Sequence, residues 1–472
     1  MIKIPLILDE SRCFDPDPTT RKIACELYES VRDLPIISPH GHVDPSILAE
    51  DRAFPDPVEL LLKPNHYVFR MLYSQGIPLE SIGIPTVDGT PVEKDNRKIW
   101  QLFADNWYLF AGTPSESWMN YELAKVFGVD ERLSGDSAMR IYDQLCEKMK
   151  SPEFRPRKLY ENFKIEVMAT TDGALDSLEH HKKIAESGWA GRVIPTFRPD
   201  SLIQIDSQGW RDNLEALGVI TGKDVTTYAM FLDALRERRQ YFKKMGAVAT
   251  DHAMFTPFTC KLNPNESERI FQKALKTPVD AQTALFFHGN MLLEMARMSI
   301  EDGLVMQIHP GCYRNHNECI SKRFGADKGC DIPVSTEFTT NLKALLNECG
   351  NDINLRIIIF TMDESTYSRE LAPLAGHYPA LRLGPSWWFH DSINGMTRFK
   401  QMVLETAGVY NTVGFNDDTR SFTSIPSRHD LARRIDANCL AGLAARHIMD
   451  KNDAFKAIRA LTRELPKTAY RL

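Results

Sequence analysis

Eight short runs of apolar and β-branched residues recur along this chain, and most are followed by a stretch with amphipathic helical spacing. They are Leu34–Val43, Ile165–Asp172, Arg192–Pro199, Ala247–Ala253, Leu304–Gly311, Arg356–Met362, Leu381–Phe389 and Tyr410–Asp418. Ala174–Glu186 and Thr226–Lys244 are examples of the intervening helical pattern. Strand-like runs alternating with helices imply parallel strands, because parallel neighbours need a long crossover between them. Eight such units predict an α/β fold of the TIM type, a (β/α)8 barrel. An open doubly wound sheet is the alternative, and no Gly-x-Gly-x-x-Gly turn supports it.

One interval is out of proportion. About 120 residues separate Val43 from Ile165, where a strand–helix unit needs roughly 30. Helix-like segments at Asp95–Phe110, Ser115–Val126 and Ser137–Met149 occupy it. The expected organisation is therefore an N-terminal segment with the first strand over 1–43 and a mainly helical insertion over 44–164. The remainder of the barrel and its C-terminal helices then fill 165–472. With no internal repeat and no long Ser/Gly linker, the insertion is expected to pack beside the barrel mouth.

Composition excludes several function classes. Hydrophobic residues are 43% and charged residues 25% of the 472, an ordinary globular balance. A net charge of −6 argues against a broad nucleic-acid-binding surface, although a few focused arginines can hold a small anion. The apolar runs, Arg356-Ile-Ile-Ile-Phe360 among them, fall far short of the ~20 residues that span a bilayer. Met1–Asp17 carries Asp9, Glu10 and Arg12 after a short apolar run, which does not read as a secretory signal. Nine cysteines form no CxxC pair, and their odd number fits no complete disulfide framework. The expectation is a cytoplasmic protein with reduced thiols, acting on a small molecule without a nucleic-acid or membrane partner. Closed homo-oligomers are the common assembly for such chains, and one is expected here.

Polar residues gather at the C-terminal ends of the runs: His40 and His42, Asp172, Arg198, Asp251 with His252, His309, Asp363 and Asp418. In (β/α)8 enzymes that end of the barrel carries the active site. Any one of them has an ordinary structural explanation, as a helix cap or a buried hydrogen-bonded group. Their recurrence at one end of successive strands favours a shared site. His40-Gly41-His42 is the sharpest signal, since residues i and i+2 of a strand face the same side. Two neutral imidazoles on one face suit a divalent metal such as zinc. Asp418 ends the eighth run, next to the first around a closed barrel, and can reach the same ion. His309 ends the fifth.

This arrangement resembles the amidohydrolase superfamily, and the wider pattern resembles the uronate isomerases, also called glucuronate isomerases. The segments that carry the likeness are His66-Tyr67 with Arg70, Thr170-Thr-Asp172 into Asp176-Ser-Leu-Glu-His-His181, and Phe197-Arg-Pro-Asp200. It continues through Asp251-His252, Gln307-Ile-His309 to Arg314-Asn315, Trp387-Trp-Phe389 with Asp391, and Asp418-Thr-Arg-Ser-Phe422 ahead of Arg428-His429. Departures are Ser38-Pro39, Asn120, His390 and Asn416-Asp417, none of which removes an expected ligand or the His66-Tyr67 pair.

The resemblance implies interconversion of an aldose acid and a ketose acid, D-glucuronate to D-fructuronate or D-galacturonate to D-tagaturonate, with one divalent metal. Such chemistry needs a base over C2, stabilisation of the O1 and O2 oxyanions, and an anchor for the C6 carboxylate. The implied metal ligands are His40, His42 and Asp418, with zinc the first choice among metals that accept such a set. Asp418 is the candidate base, while His66 and Tyr67 trade protons with sugar oxygens. Arg420 stabilises enediolate charge, and His309 binds the ion or a substrate oxygen. Arg198 or Arg314 offers the planar fork for a carboxylate. Asp251, Trp387 and Trp388 complete the substrate side. The structural rival for Arg420 is a pairing with Asp417. A mononuclear metal-dependent hydrolase is the alternative function. The resemblance implies a bridging Lys in binuclear hydrolases, and the fourth run ends in Ala249-Thr-Asp-His252 without one. It implies a His ending the sixth strand in mononuclear deaminases, and that run ends in Phe360-Thr-Met-Asp363 without one. A metal-binding sensor without activity is a third reading, which the intact His40, His42 and Asp418 oppose.

Overall fold

The computed structural model describes residues 3–472. Its strands, in chain order, are β1 (Ile36–Ser38), β2 (Ile165–Ala169), β3 (Asp172–Gly173), β4 (Val193–Ile194), β5 (Phe197–Arg198), β6 (Ala249–Met254), β7 (Val305–Pro310), β8 (Cys312–Tyr313), β9 (Ile332–Pro333), β10 (Ile357–Ile359) and β11 (Leu381–Leu383). Parallel pairings run β1–β2–β4 and β3–β5–β6–β7–β10–β11. Because β3 continues β2 and β5 continues β4, the two ladders form one succession around the molecule. Leu383 bridges in parallel to Thr412. The His42 N–H then donates to the Thr419 carbonyl at 2.9 Å, which closes the ring. The fold is a (β/α)8 barrel, with the antiparallel pair β8–β9 as a small addition at its mouth.

Several strands are shorter than their apolar runs. Pro39 and Pro385 have no N–H to give a ladder, so β1 stops at Ser38 and β11 at Leu383. The largest departure concerns the eighth run. Tyr410–Asp418 forms no regular strand: Val409–Asn411 is a 3-10 turn and Thr412 makes a single bridge. Gly414 breaks the extended path with φ +78°, and a Cβ there would lie 2.3 Å from the Leu461 carbonyl oxygen.

Between β1 and β2 the chain is helical, with Ser46–Glu50, His66–Ser74, Asn96–Asp105, Pro114–Tyr121, Ala138–Lys150 and Pro156–Asn162 as its α-helices. These helices start where local chemistry favours it. Asn65 accepts the Tyr67 N–H, Asp95 those of Arg97 and Lys98, and Thr113 that of Glu116, ahead of Pro114 at the first helical position. This helical segment buries Trp100, Phe103, Phe110, Leu123 and Leu145 in one cluster, which also takes in Phe422 and Ile425 from beyond the eighth position. A second cluster lies between the strands and the outer helices, with Phe231, Phe242, Phe287 and Leu292 fully buried. At the far end, Tyr470 is fully buried, donates to Gln307 Oε1 at 2.9 Å and packs with Ala249 and Val305. The last residues therefore fill the barrel floor, leaving the opposite end for the site. No helix of the described residues is long and apolar enough to cross a membrane.

Candidate active site

The loop after the eighth position delivers Asp418 to the mouth with φ +42°, a left-handed conformation that a non-glycine residue adopts only when its surroundings impose it. Three neighbours hold its carboxylate. The Trp387 indole N–H donates to Oδ2 at 2.7 Å, while His42 Nε2 and His40 Nε2 lie 3.2 and 3.5 Å from Oδ1. Both histidines lie beyond the end of β1, so the alternation expected of a strand does not orient them; the backbone bond from His42 to Thr419 does. His309, at the end of β7, meets Asp251 of β6 through Nδ1 at 2.6 Å. Its ring stacks on Phe360 with centroids 4.0 Å apart.

The donor set fits a divalent ion. One ligand atom each from His40, His309 and Asp418 lies within 4.8 Å of the others, and His42 faces the same carboxylate. His309 Nε2 is buried beside the Asp418 carboxylate with no hydrogen-bond partner, which leaves it available to a cation. Asp251 on the opposite nitrogen fixes the tautomer that leaves Nε2 as a lone-pair donor. Imidazole nitrogens beside a carboxylate oxygen are ordinary ligands for zinc and its neighbours.

Titration follows the same contacts. Burial pulls His40 down, but the Asp418 carboxylate more than offsets it and leaves the imidazole raised. In His42 and His309 burial wins over the carboxylates, and both are lowered. Burial would raise Asp418, yet the two facing histidines hold it well below the ordinary carboxylate range. Burial and the nearby Arg420 push His66 down to about 3, so its imidazole is neutral.

A cavity of about 340 Å³ opens above this cluster. His42, Asp418 and Arg420 line it from the barrel side, and His66 and Tyr67 from the insertion. Arg198, Arg314, Trp387 and Trp388 complete the wall, while His40, His309 and Asp251 are buried behind it. The arginines are not equivalent. Arg198 is already held by Asp200 at 2.7 Å and Asp251 at 3.4 Å. Arg314 pairs with Asp331 alone at 2.8 Å and lies 5.5 Å from the Trp388 ring centre. Arg420 pairs with Asp327 at 3.0 Å, not with Asp417.

A family model described as glucuronate isomerase matches residues 18–465. The chain belongs to the glucuronate isomerase family. The uronate isomerase of Nostoc punctiforme is 52% identical over 467 residues, covering 99% of this chain and 98% of that one. That of Rhizobium meliloti is 53% identical over 466 residues, with 99% of each covered. The solved glucuronate isomerase from Caulobacter crescentus superposes with a TM-score of 0.97 at 50% identity, covering 99% of this chain and 98% of that chain.

Among this glucuronate isomerase family member's departures, Asn416 and Asp417 reach the cavity wall. Asp417 meets His429 Nε2 at 3.0 Å. His390 instead pairs with the Met362 carbonyl at 3.0 Å. Asp363 is a cap: its carboxylate accepts the N–H groups of Thr336 and Ser365. His252 is fully buried against Thr250, and His181 against Thr170, both packed away from the cavity. Asp327 and Asp331 carry no sequence signal that marks them as arginine partners, whereas Asp200 follows its partner Arg198 by two residues. Asp391 and Arg428 stood in family-like segments without a role, yet both line the cavity.

Proposed function

We propose that this chain interconverts aldose and ketose uronic acids, D-glucuronate with D-fructuronate, D-galacturonate with D-tagaturonate, or both, by proton transfer through an enediolate. The observation that carries the reading is Asp418, an ionised carboxylate opening into the cavity while held by His42 and Trp387. His40, His42 and Asp418, with His309 beside them, would hold a divalent ion, zinc first among the candidates, which would supply Lewis acidity to the sugar oxygens.

The chain's own groups supply the rest. The Asp418 oxygens face the space where C2 of an open-chain uronate can sit, and one of them takes the C2 proton. Returned to C1, that proton converts the aldose to the ketose. Arg420, two residues on, places a cation beside the developing enediolate, where a preorganised charge is worth most. His66, neutral at physiological pH, offers hydrogen bonds to sugar oxygens without competing for their charge. Tyr67 exchanges protons with a substrate hydroxyl. Arg198 and Arg314 are the candidates for the C6 carboxylate, and Arg314 has the freer charge because one carboxylate faces it instead of two. Trp387 and Trp388 wall the cavity against water.

The nine cysteines are unpaired, which suits a reducing cytoplasm, and a homo-oligomer is the expected assembly. The test is turnover of a small panel of uronates by the purified protein, with metal analysis of the same sample. Ketose acid from glucuronate or galacturonate is the expected product. Metal-loaded protein that isomerises no uronate would overturn the proposal.

A further inference from the structure

Tyr67 has an unusual set of partners for a group that faces substrate. Its hydroxyl donates to Asp391 Oδ1 at 2.9 Å and accepts the Phe389 N–H at 3.0 Å. Phe389 is itself held at φ +68°, a strained conformation for an aromatic residue, and that conformation aims its N–H at Tyr67. The other oxygen of Asp391 accepts from Arg428 Nη1 at 2.8 Å, and the same nitrogen reaches the Asp417 carbonyl at 3.3 Å. The Arg428 guanidinium lies 3.7 Å from the Trp118 ring centre and 5.9 Å from that of Tyr67. Side-chain exposure is 7% for Arg428 and 13% for Asp391, so the pair is shielded from solvent. Both residues nonetheless border the cavity.

This pattern commits the Tyr67 proton to Asp391 and one oxygen lone pair to Phe389. The remaining lone pair is free to accept, so a substrate hydroxyl can donate to Tyr67 but cannot draw its proton directly. We propose that Asp391, fixed by Arg428, is the positioning residue and proton store behind Tyr67. When a sugar hydroxyl gives its proton to the Tyr67 oxygen, the O–H bond of Tyr67 breaks and its proton forms an O–H bond on Asp391. The reverse transfer returns one proton to an enediolate oxygen, so the cycle is neutral and needs no oxidant or reductant. Burial, with the Asp391 carboxylate adding to it, holds the Tyr67 hydroxyl well above the ordinary phenol value. A free phenolate is therefore costly, so Tyr67 releases its own proton to Asp391 only as it receives another from the substrate. Arg428 keeps the Asp391 oxygens turned towards Tyr67 and balances their charge.

The inference rests on Tyr67 acting in uronate isomerisation, and a double-mutant cycle separates the two claims. Asp391→Asn keeps the shape and an acceptor for Tyr67 but cannot store the proton. With metal content matched, kcat on the uronate that the wild type turns over should fall about 100-fold with KM within about twofold. In a Tyr67→Phe background the same substitution should cost less than about threefold, because the relay is already cut. Equal losses in both backgrounds, or a change confined to KM, would overturn the relay while leaving the isomerase reading intact. Full activity of Tyr67→Phe would overturn the role of Tyr67 and the relay with it. Should Asp391→Asn fail to fold, Arg428→Lys is judged by the same cycle: a loss masked by Tyr67→Phe supports the relay, and an equal loss in both backgrounds refutes it.

Discussion

Glu122 lies in the helical segment between the first two strands, 3% exposed, and accepts a hydrogen bond from the Thr423 hydroxyl at 2.7 Å. That contact ties the insertion to the turn that follows Asp418-Thr-Arg420. Burial raises the carboxyl from 4.5 to about 7, with Thr423 and Arg428 only partly opposing it. A carboxyl raised in the folded state binds its proton more tightly there than in the unfolded chain. Its contribution to stability is therefore full below pH 4.5 and is lost as pH rises towards 7. At 1.36 kcal/mol per unit, the loss between pH 5 and pH 8 is about 2.5 kcal/mol. Glu122→Gln keeps the acceptor for Thr423 and cannot ionise. Its amide N–H groups add a cost of about 1–3 kcal/mol if left unpaired, but that cost does not change with pH. The measurement is urea unfolding of metal-loaded wild type and Glu122→Gln at pH 5, 6, 7 and 8. Relative to wild type, the variant should gain about 2–3 kcal/mol across that range. A gap that stays constant with pH would show that Glu122 titrates normally in the folded protein and would refute the reasoning.

Three further outcomes follow from the site. His42→Ala and His40→Ala should each lower bound metal and turnover together, checked by metal analysis beside the uronate assay; full metal content in His42→Ala would remove it from the ligand set. His309→Asn should separate roles, since metal lost with activity marks a ligand and activity lost at full metal marks a contact to substrate. Arg198→Lys keeps the charge but loses the fork that engages Asp200 and Asp251. If Arg198 also anchors the C6 carboxylate, KM for the uronate should rise about tenfold, a cost near 1.4 kcal/mol, whereas an unchanged KM would transfer that role to Arg314.

The barrel was legible in the spacing of the apolar runs because strand–helix alternation has few solutions other than parallel strands with crossovers. Strand lengths were not. Pro39, Pro385 and Gly414 stop or bend ladders that apolar character alone would extend, and the eighth position closes the ring through single bonds at Thr412 and Thr419. The clustered histidines and Asp418 stood out because charged and imidazole groups interrupted apolar runs at one end. Their orientation arises from the Trp387 indole and the His42–Thr419 backbone bond, neither of which has a local sequence signal. The same limit hid the partners of Arg420 and Arg428. Asp327 reaches Arg420 across 93 positions of sequence and Asp391 reaches Arg428 across 37, so only the folded chain brings their charges together. Glu122 was unremarkable in sequence, where nothing distinguishes a buried carboxyl from a solvated one.

Asp418 carries the proposed chemistry, and Asp418→Asn tests it most directly, with isomerisation measured per mole of bound metal. The amide preserves size and can still face the Trp387 indole, but it cannot accept the C2 proton. In protein that holds metal, the rate on glucuronate or galacturonate should fall by at least about a thousandfold, within the range that acid–base groups supply. A metal-loaded Asp418→Asn protein that isomerises uronate within about tenfold of the wild-type rate would contradict this assignment and leave His309 as the next candidate base.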